Sequence, residues 1–224
     1  MPWDRWIRTV EIEPSLYAAD FGHLAEQVEV LLRTGTRVFH WDVGDGHFVP
    51  PITMGPVVLK AIAPLVHQFE GVVDVHLMTE TPEKHFEEFA EAGADSVTFH
   101  LEAVSDVAAV ARHARDLELQ CGLAIKPGTA VEDAAAAAEH VDIVLVMSVE
   151  PGYSGQEFMP DALARVQQLK AFVGAKPVQV DGGIGPDNVR SIYDVGATLL
   201  VAGTSIFQRE DLPRAYRRLV QELA

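Results

Sequence analysis

Short runs rich in β-branched and aromatic residues alternate along this chain with segments whose apolar residues recur every three or four positions. The first pattern predicts strands at 10–14, 37–42, 69–77, 96–100, 120–125, 142–147, 177–181 and 198–202. The second predicts helices at 20–34, 56–62, 82–92, 104–117, 131–140, 161–173, 188–195 and 212–223. Within 20–34, Leu24, Val28, Leu31 and Leu32 fall on one helical face. Pro82 and Glu83 suit a first helical turn, where a missing N–H costs nothing and a negative charge meets the positive end of the helix dipole. Gly93-Ala94-Asp95 and Gly196-Ala197-Thr198 suit helix C-caps that run straight into the next strand.

Eight strand–helix units imply parallel strands joined by crossover helices, and eight such units close naturally into a TIM (β/α)8 barrel. An open doubly wound sheet is the alternative. It fits less well, because no Gly-x-Gly-x-x-Gly follows the first strand. No low-complexity tract, Ser/Pro-rich spacer or long charge block divides the chain, so one barrel domain over 1–224 is expected.

Composition narrows the function classes. Hydrophobic residues make up 48% of the 224, enough for a sizeable core, and no apolar run is long enough to cross a bilayer. A formal net charge of −16 argues against nonspecific binding to nucleic acid or to an anionic membrane. It leaves an anionic small substrate open, since backbone N–H groups can hold a phosphate. The first residues carry Asp4, Arg5, Arg8 and Glu11 rather than a signal peptide's hydrophobic segment. The lone Cys121 begins a buried strand, fits a reducing compartment and is expected to be inert; the expectation is a cytoplasmic protein.

In such a barrel the chemistry sits at the C-terminal ends of the strands. The second strand offers His40 and Asp42, two apart and therefore on one face; the third offers Asp74 and His76 in the same relation. The seventh ends at Asp181-Gly182-Gly183. A lone buried His–Asp pair is most often an ordinary hydrogen-bonded pair. Four such groups (His40, Asp42, His76 and Asp181) at one rim instead make a ligand set for a divalent metal of intermediate softness, Zn²⁺ or Fe²⁺ before Mn²⁺ or Co²⁺. Glycine-rich loops follow the last three strands, at Gly152-Tyr153-Ser154-Gly155, Gly182-Gly183 and Gly203-Thr204. Each alone is a plain turn; together they suggest a phosphate cradle.

At these motifs the chain resembles the ribulose-phosphate 3-epimerase family, nearly end to end. The resemblance is carried by Pro14-Ser15-Leu16, His40-x-Asp42-Val43-x-Asp45-Gly46-His47-Phe48-Val49-Pro50, Asp74-Val75-His76-Leu77-Met78, Met147-x-Val149-Glu150-Pro151-Gly152, Val180-Asp181-Gly182-Gly183-Ile184 and Val201-Ala202-Gly203-Thr204-Ser205. It implies a metal-dependent isomerase of the pentose phosphate pathway that interconverts D-ribulose 5-phosphate and D-xylulose 5-phosphate. It also implies His40, Asp42, His76 and Asp181 as metal ligands, with Asp42 and Asp181 as the acid–base pair. Ser15, His76, Met78 and Met147 would line the substrate, and Gly152, Tyr153, Ser154, Gly155, Gly182, Gly183, Gly203 and Thr204 would surround its phosphate. Family members form dimers or hexamers, so a homo-oligomer is expected.

Three departures bear on substrate. Gly44 and Pro51 stand where the family usually has methionine and asparagine, and Tyr153-Ser154 interrupts a loop that commonly reads Gly-Phe-Gly-Gly. Loss of the methionine either enlarges the pocket, towards a six-carbon ketose phosphate such as D-allulose 6-phosphate, or is filled by a neighbour such as Trp41 or Met54. Two remoter readings are a Schiff-base lyase using Lys126 and a non-catalytic barrel subunit. His100 and Glu102 either support the ligands or merely bond to each other. Trp3, Trp6 and Ile7 pack either on the barrel floor or on a partner.

Overall fold

The computed structural model describes residues 3–224, so the first two residues of the expected 1–224 domain lie outside the described residues. Eight parallel strands form one sheet: β1 Glu11–Pro14, β2 Val38–Gly44, β3 Val72–Met78, β4 Ser96–His100, β5 Gln120–Ile125, β6 Ile143–Met147, β7 Val178–Asp181 and β8 Leu199–Ala202. Each strand pairs with its sequence neighbour from β2 round to β8, and β8 pairs with β1. A single parallel bridge between Ser15 and His40 draws β1 against β2 and completes the ring. The expected TIM barrel is the one observed.

Alternation along the strands sorts the residues. Phe39, Trp41, Val73, Val75, Leu77, Val97 and Phe99 belong to the large apolar core between the sheet and the helices. The other parity points into the barrel. The register sets His40 beside Asp74, Asp42 beside His76 and Met147 beside Asp181. Hence the residues singled out for chemistry are inward-facing and lie toward one end of the ring.

The opposite end is closed by the N-terminus. Trp3–Trp6 forms a single helical turn, α1, whose two indoles meet edge to face at 4.7 Å. With Ile7 they pack on Val38, Val72, Ile143 and Leu199, the inward-facing residues at the strand starts, which decides for the barrel floor.

The outer helices are α2 Leu24–Thr34, α3 Pro56–Gln68, α4 Phe86–Ala92, α5 Val107–Asp116, α6 Val131–Ala137, α7 Asp161–Val173, α8 Val189–Asp194 and α10 Leu212–Glu222, with a short α9 Thr204–Phe207 after β8. Helices α2, α4 and α5 start three or four residues later than expected and α6 stops three earlier, with 3₁₀ turns at Phe21–His23, Pro82–His85 and Ala138–His140; two other boundaries have a clear cause. Helix α3 runs six residues past Ile62 and straight through Pro64. Its buried stripe of Leu59, Ile62, Ala63 and Val66 continues, while Pro64 lies on the exposed face, where a missing backbone hydrogen bond costs least. Strand β3 starts at Val72 rather than 69, because Glu70 takes a left-handed φ of 58° in the turn leaving α3. Among the described residues no helix is long and apolar enough to cross a membrane.

Candidate metal and active site

The β2 end sets His40 and Asp42 one above the other inside the barrel, and β3 sets His76 level with Asp42. Asp42 Oδ1 lies 3.3 Å from His40 Nε2 and 3.1 Å from His76 Nδ1, and Asp181 Oδ2 comes within 3.9 Å of the same His76 nitrogen. One ligand atom from each of His40, Asp42, His76 and Asp181 lies within 4.8 Å of the other three. Four donors around a cation at bonds of about 2.0–2.1 Å would stand about 3.3 Å apart, so the set needs only slight contraction.

Three further observations fit a cation there. His40 Nε2 is buried with no hydrogen-bond partner, an orphan aimed at the cluster. His40 Nδ1, its other nitrogen, donates to Asp74 Oδ2 at 3.1 Å, so Nε2 is the nitrogen that can give a lone pair to a cation in place of a proton. Charge tells the same story. Burial pushes the Asp42 carboxyl up, but the His40 and His76 imidazoles outweigh it and hold Asp42 well below the usual carboxylate range. Burial pushes His40 down, yet Asp42 and Asp74 hold its proton well above the ordinary value. The pocket therefore favours positive charge between these groups. Asp181 goes the other way, pushed up to about 6 by burial and by the Asp42 charge.

Behind this cluster the barrel interior stays polar. Asp74 also accepts from Ser96 Oγ at 2.6 Å and from Gln179 Nε2 at 2.8 Å, and Gln179 donates to Glu13 at 2.5 Å. On the far side of His76, its Nε2 meets His100 Nε2 at 2.9 Å, and His100 Nδ1 meets Glu102 Oε2 at 3.1 Å. Burial lowers His100 to about 4. Burial raises Glu102, but bonds from His100, Thr129 and the Lys126 backbone N–H bring it down to about 2.

Above the cluster opens a cleft of ≈ 530 Å³, its mouth included. Ser15, Asp42, Met78, Met147 and Asp181 form its inner wall, and the outer wall is made by Gly152, Tyr153, Ser154, Gly155, Gly182, Gly183, Gly203 and Thr204. Ser15 Oγ donates to Asp42 Oδ2 at 2.6 Å. His40 and His76 are fully buried behind Asp42 and do not reach the cleft wall, so the structure shows no exposed face of His76 for a substrate. Tyr17, Val149, Gln156, Ile184 and Val201 join the lining without having been expected. Tyr17 after β1, Val149 after β6, Ile184 after β7 and Val201 in β8 all had a signal in their place at strand ends; Gln156, in the long loop after β6, did not.

The glycines work as spacing. Gly183 has a φ of 64°, and a Cβ there would lie 2.4 Å from the Phe158 backbone nitrogen, so the β7 loop can pass this close only as glycine.

Gly44 does not enlarge the cleft. A Cβ on it would lie 2.6 Å from the Pro51 carbonyl oxygen and 2.9 Å from Val49 Cγ2, and Gly44 is absent from the cleft wall. Neither Trp41 nor Met54 occupies the space beside it; loop backbone does. Thr53 clamps that loop, its Oγ1 donating to the Asp42 carbonyl at 2.7 Å and accepting from the Gly44 N–H at 2.8 Å. Asp45 accepts from the N–H groups of His47, Phe48 and Glu80, which swings Phe48 onto the His100 ring at 4.9 Å. Lys126 is held outside, its ammonium 3.7 Å from the centre of the Phe48 ring. It does not line the cleft.

The "Ribulose-phosphate 3 epimerase family" model matches residues 11–207, the whole span from β1 to the end of α9. This chain belongs to the ribulose-phosphate 3-epimerase family. Among family members, the ribulose-phosphate 3-epimerase of Candida glabrata is 39% identical over 213 residues, covering 89% of this chain and 87% of that protein. Ribulose-phosphate 3-epimerase 1 of Cupriavidus necator is 37% identical over 224 residues, covering 96% of this chain and 92% of that one. Both relatives are named as epimerases, a class of isomerase, and the barrel is shared more widely. The crystal structure of a 3-hexulose-6-phosphate synthase superposes with a TM-score of 0.75 over 96% of this chain and 100% of that chain, at only 18% identity, a likeness of fold alone.

Proposed function

We propose that this chain epimerises a ketose phosphate at C3, interconverting D-ribulose 5-phosphate and D-xylulose 5-phosphate, with Asp42 and Asp181 as the proton-transfer pair. Inverting a carbon beside a ketone removes a proton from one face and returns one to the other, which a single base serves poorly. The observation that carries the reading is the placement of two carboxylates, buried Asp42 on β2 and half-buried Asp181 on β7, in one cleft wall. Asp42 is held ionised by two imidazoles, and Asp181 holds a proton up to about pH 6. Lying in one wall, the two serve in turn, Asp42 as the base and Asp181 as the acid for one epimer, with the roles exchanged for the other.

His40, Asp42, His76 and Asp181 are the residues that would hold a divalent cation. Such an ion, when bound, supplies electrophilic stabilisation for the negative charge that develops on the ketone oxygen. Ser15 fixes the Asp42 carboxylate through the Oδ2 that the histidines leave free. Met78 and Met147 give the sugar an apolar, water-poor wall. The phosphate is read onto the outer wall, where Gly183 admits close backbone approach and the first-turn N–H groups of α9 at Thr204 and Ser205 have no intrahelical carbonyl to meet. The family membership supports the substrate, and nothing about Gly44 favours a six-carbon one.

The test is proton exchange. Metal-replete protein incubated with D-ribulose 5-phosphate in D₂O is expected to incorporate deuterium at C3 as xylulose 5-phosphate forms, followed by NMR. Asp42→Asn should lower both rates together, by ~10²–10⁴. Wild-type exchange in that variant would overturn the assignment of Asp42. Activity that survives complete metal removal would overturn the ligand reading.

A further inference from the structure

The two ligand histidines present opposite nitrogens to the cluster. His40 offers Nε2, and a carboxylate, Asp74, holds its Nδ1 directly. His76 presents Nδ1 to Asp42 Oδ1 at 3.1 Å, where a cation would stand in place of a proton, and among the described residues no carboxylate touches its Nε2; that nitrogen faces His100 Nε2 at 2.9 Å. Two ring nitrogens at that distance need one proton between them and cannot share two.

We propose that Glu102 and His100 are positioning residues that fix His76 in its Nε2–H tautomer, so that its Nδ1 lone pair is the one presented to the cation. The proposal rests on the reading of His76 as a metal ligand. An imidazole that binds through Nδ1 keeps its single proton on Nε2, so His76 is the donor and His100 Nε2 the acceptor. His100 must then carry its own proton on Nδ1, where Glu102 Oε2 accepts it at 3.1 Å. The carboxylate acts on His76 through one intervening imidazole, as Asp74 acts on His40 through none.

Glu102 cannot easily turn away from this task. Its other oxygen, Oε1, accepts from the Lys126 backbone N–H at 2.8 Å and from Thr129 Oγ1, which ties the end of β4 to the loop after β5. His100 is fully buried, and the Phe48 ring covers it at 4.9 Å, so water does not compete for its nitrogens. Every contact in the chain Glu102–His100–His76 thus has one proton and one acceptor, and their order is set at the Glu102 end.

That anchoring makes Glu102→Gln a reversal rather than a deletion. The amide oxygen stays with Lys126 and Thr129, and the amide N–H₂ takes the place of Oε2 and donates to His100 Nδ1. His100 must then donate from Nε2, and His76 is pushed to the Nδ1–H form that cannot bind a metal there. His100→Gln is the companion variant. Its amide oxygen can accept from His76 Nε2–H whatever stands at 102.

The experiment measures Zn²⁺ affinity by chelator competition, and in the Zn²⁺-loaded wild type the ring-proton positions of His76 and His100 by long-range ¹H–¹⁵N NMR. The expected result is Nε2–H on His76 and Nδ1–H on His100, with Glu102→Gln weakening Zn²⁺ about 10–100-fold. In the His100→Gln background, Glu102→Gln should add less than about twofold, because the link through residue 100 is already cut. Wild-type Zn²⁺ affinity in Glu102→Gln, or an equal loss in both backgrounds, would overturn the proposal. So would a proton on His100 Nε2 in the loaded wild type, a result that needs no variant to fold. Should wild-type protein bind no Zn²⁺ at all, the ligand reading falls and this proposal with it; Zn²⁺ bound through His76 with Glu102→Gln unaffected sinks the proposal alone.

Discussion

At Gly44 one missing side chain decides the path of a whole loop. Its absent Cβ leaves room for the Pro51 carbonyl and for Val49, and Val49 in turn lies against Gly152 in the outer wall of the cleft. Gly44→Ala would push a methyl into backbone rather than into the end of a flexible side chain, so the loop must move. Overpacking of this kind costs ~1–3 kcal/mol, which urea denaturation would read, and the displaced loop should raise KM more than it lowers kcat. Unchanged stability and KM would show that the loop does not depend on Gly44. Strand alternation made His40, Asp42, His76 and Asp181 legible in the sequence, because two-residue spacing at a strand end is enough to put side chains inside a barrel. The bond from Asp74 to His40 was not legible, although Asp74 stood on the same face as His76. It depends on which residue of β2 lies beside which residue of β3, and that register is set by packing. The occupant of the Gly44 space was hidden for a similar reason, since it belongs to a loop whose course follows from Asp45 and Thr53 rather than from periodicity.

Whole elements were most readable where they carried a periodic apolar face. All eight strands overlap the β-branched runs that predict them, and one helix end moves outward where tertiary contacts override a local stop. Pro64 is the clearest case: read locally it ends a helix, but a buried stripe on the opposite face carries α3 past it. Helix α1 is the reverse case. A single turn has no period to detect, and its place on the floor follows from two tryptophans having an apolar ring of strand starts to fill. That element has its own prediction. Trp6 is buried among Val38, Val72, Ile143 and Leu199, so Trp6→Ala should open a cavity at the floor and lower unfolding free energy by about 3–5 kcal/mol. The indole N–H of Trp6 is buried without a partner, which places the expected loss toward the lower end. Because the floor and the cleft are at opposite ends of the strands, kcat of the folded variant should stay at the wild-type value. Loss of activity without loss of stability would place α1 in the function of the cleft instead.

Taken whole, the molecule carries a net charge of −16 yet buries Glu13, His40, Asp42, Asp74, His76 and His100 inside its barrel, an arrangement that ties metal binding to pH. The sign follows from the separate groups. Asp181, pushed up to about 6 from an ordinary 3.8, binds its proton more readily when folded. On its own it makes the metal-free protein more stable as pH falls from about 6 toward 3.8. His100, lowered to about 4 from 6.5, acts oppositely over nearly the same window, because the unfolded chain takes up a proton that the folded one refuses. The two oppose each other in metal-free protein. They separate once a cation is bound, because a ligand carboxylate must give up its proton whereas His100 is neutral in both forms. The added stability conferred by Zn²⁺, measured as the difference in Tm with and without the ion at fixed concentration, should therefore shrink as pH falls, first where His40 takes up its proton, above the ordinary imidazole value, and more steeply below about pH 6, where Asp181 does so too. One displaced proton corresponds to about tenfold in apparent affinity, ~1.4 kcal/mol of linked stabilisation, for each pH unit. Asp42, held well below the usual range, adds no slope until far more acid conditions, so the steepening near pH 6 belongs to Asp181. Asp181→Asn should remove that steepening along with much of the Zn²⁺ effect. A metal-induced Tm shift that is the same at pH 5 and pH 7 would mean that Asp181 does not share the ion with His40, Asp42 and His76.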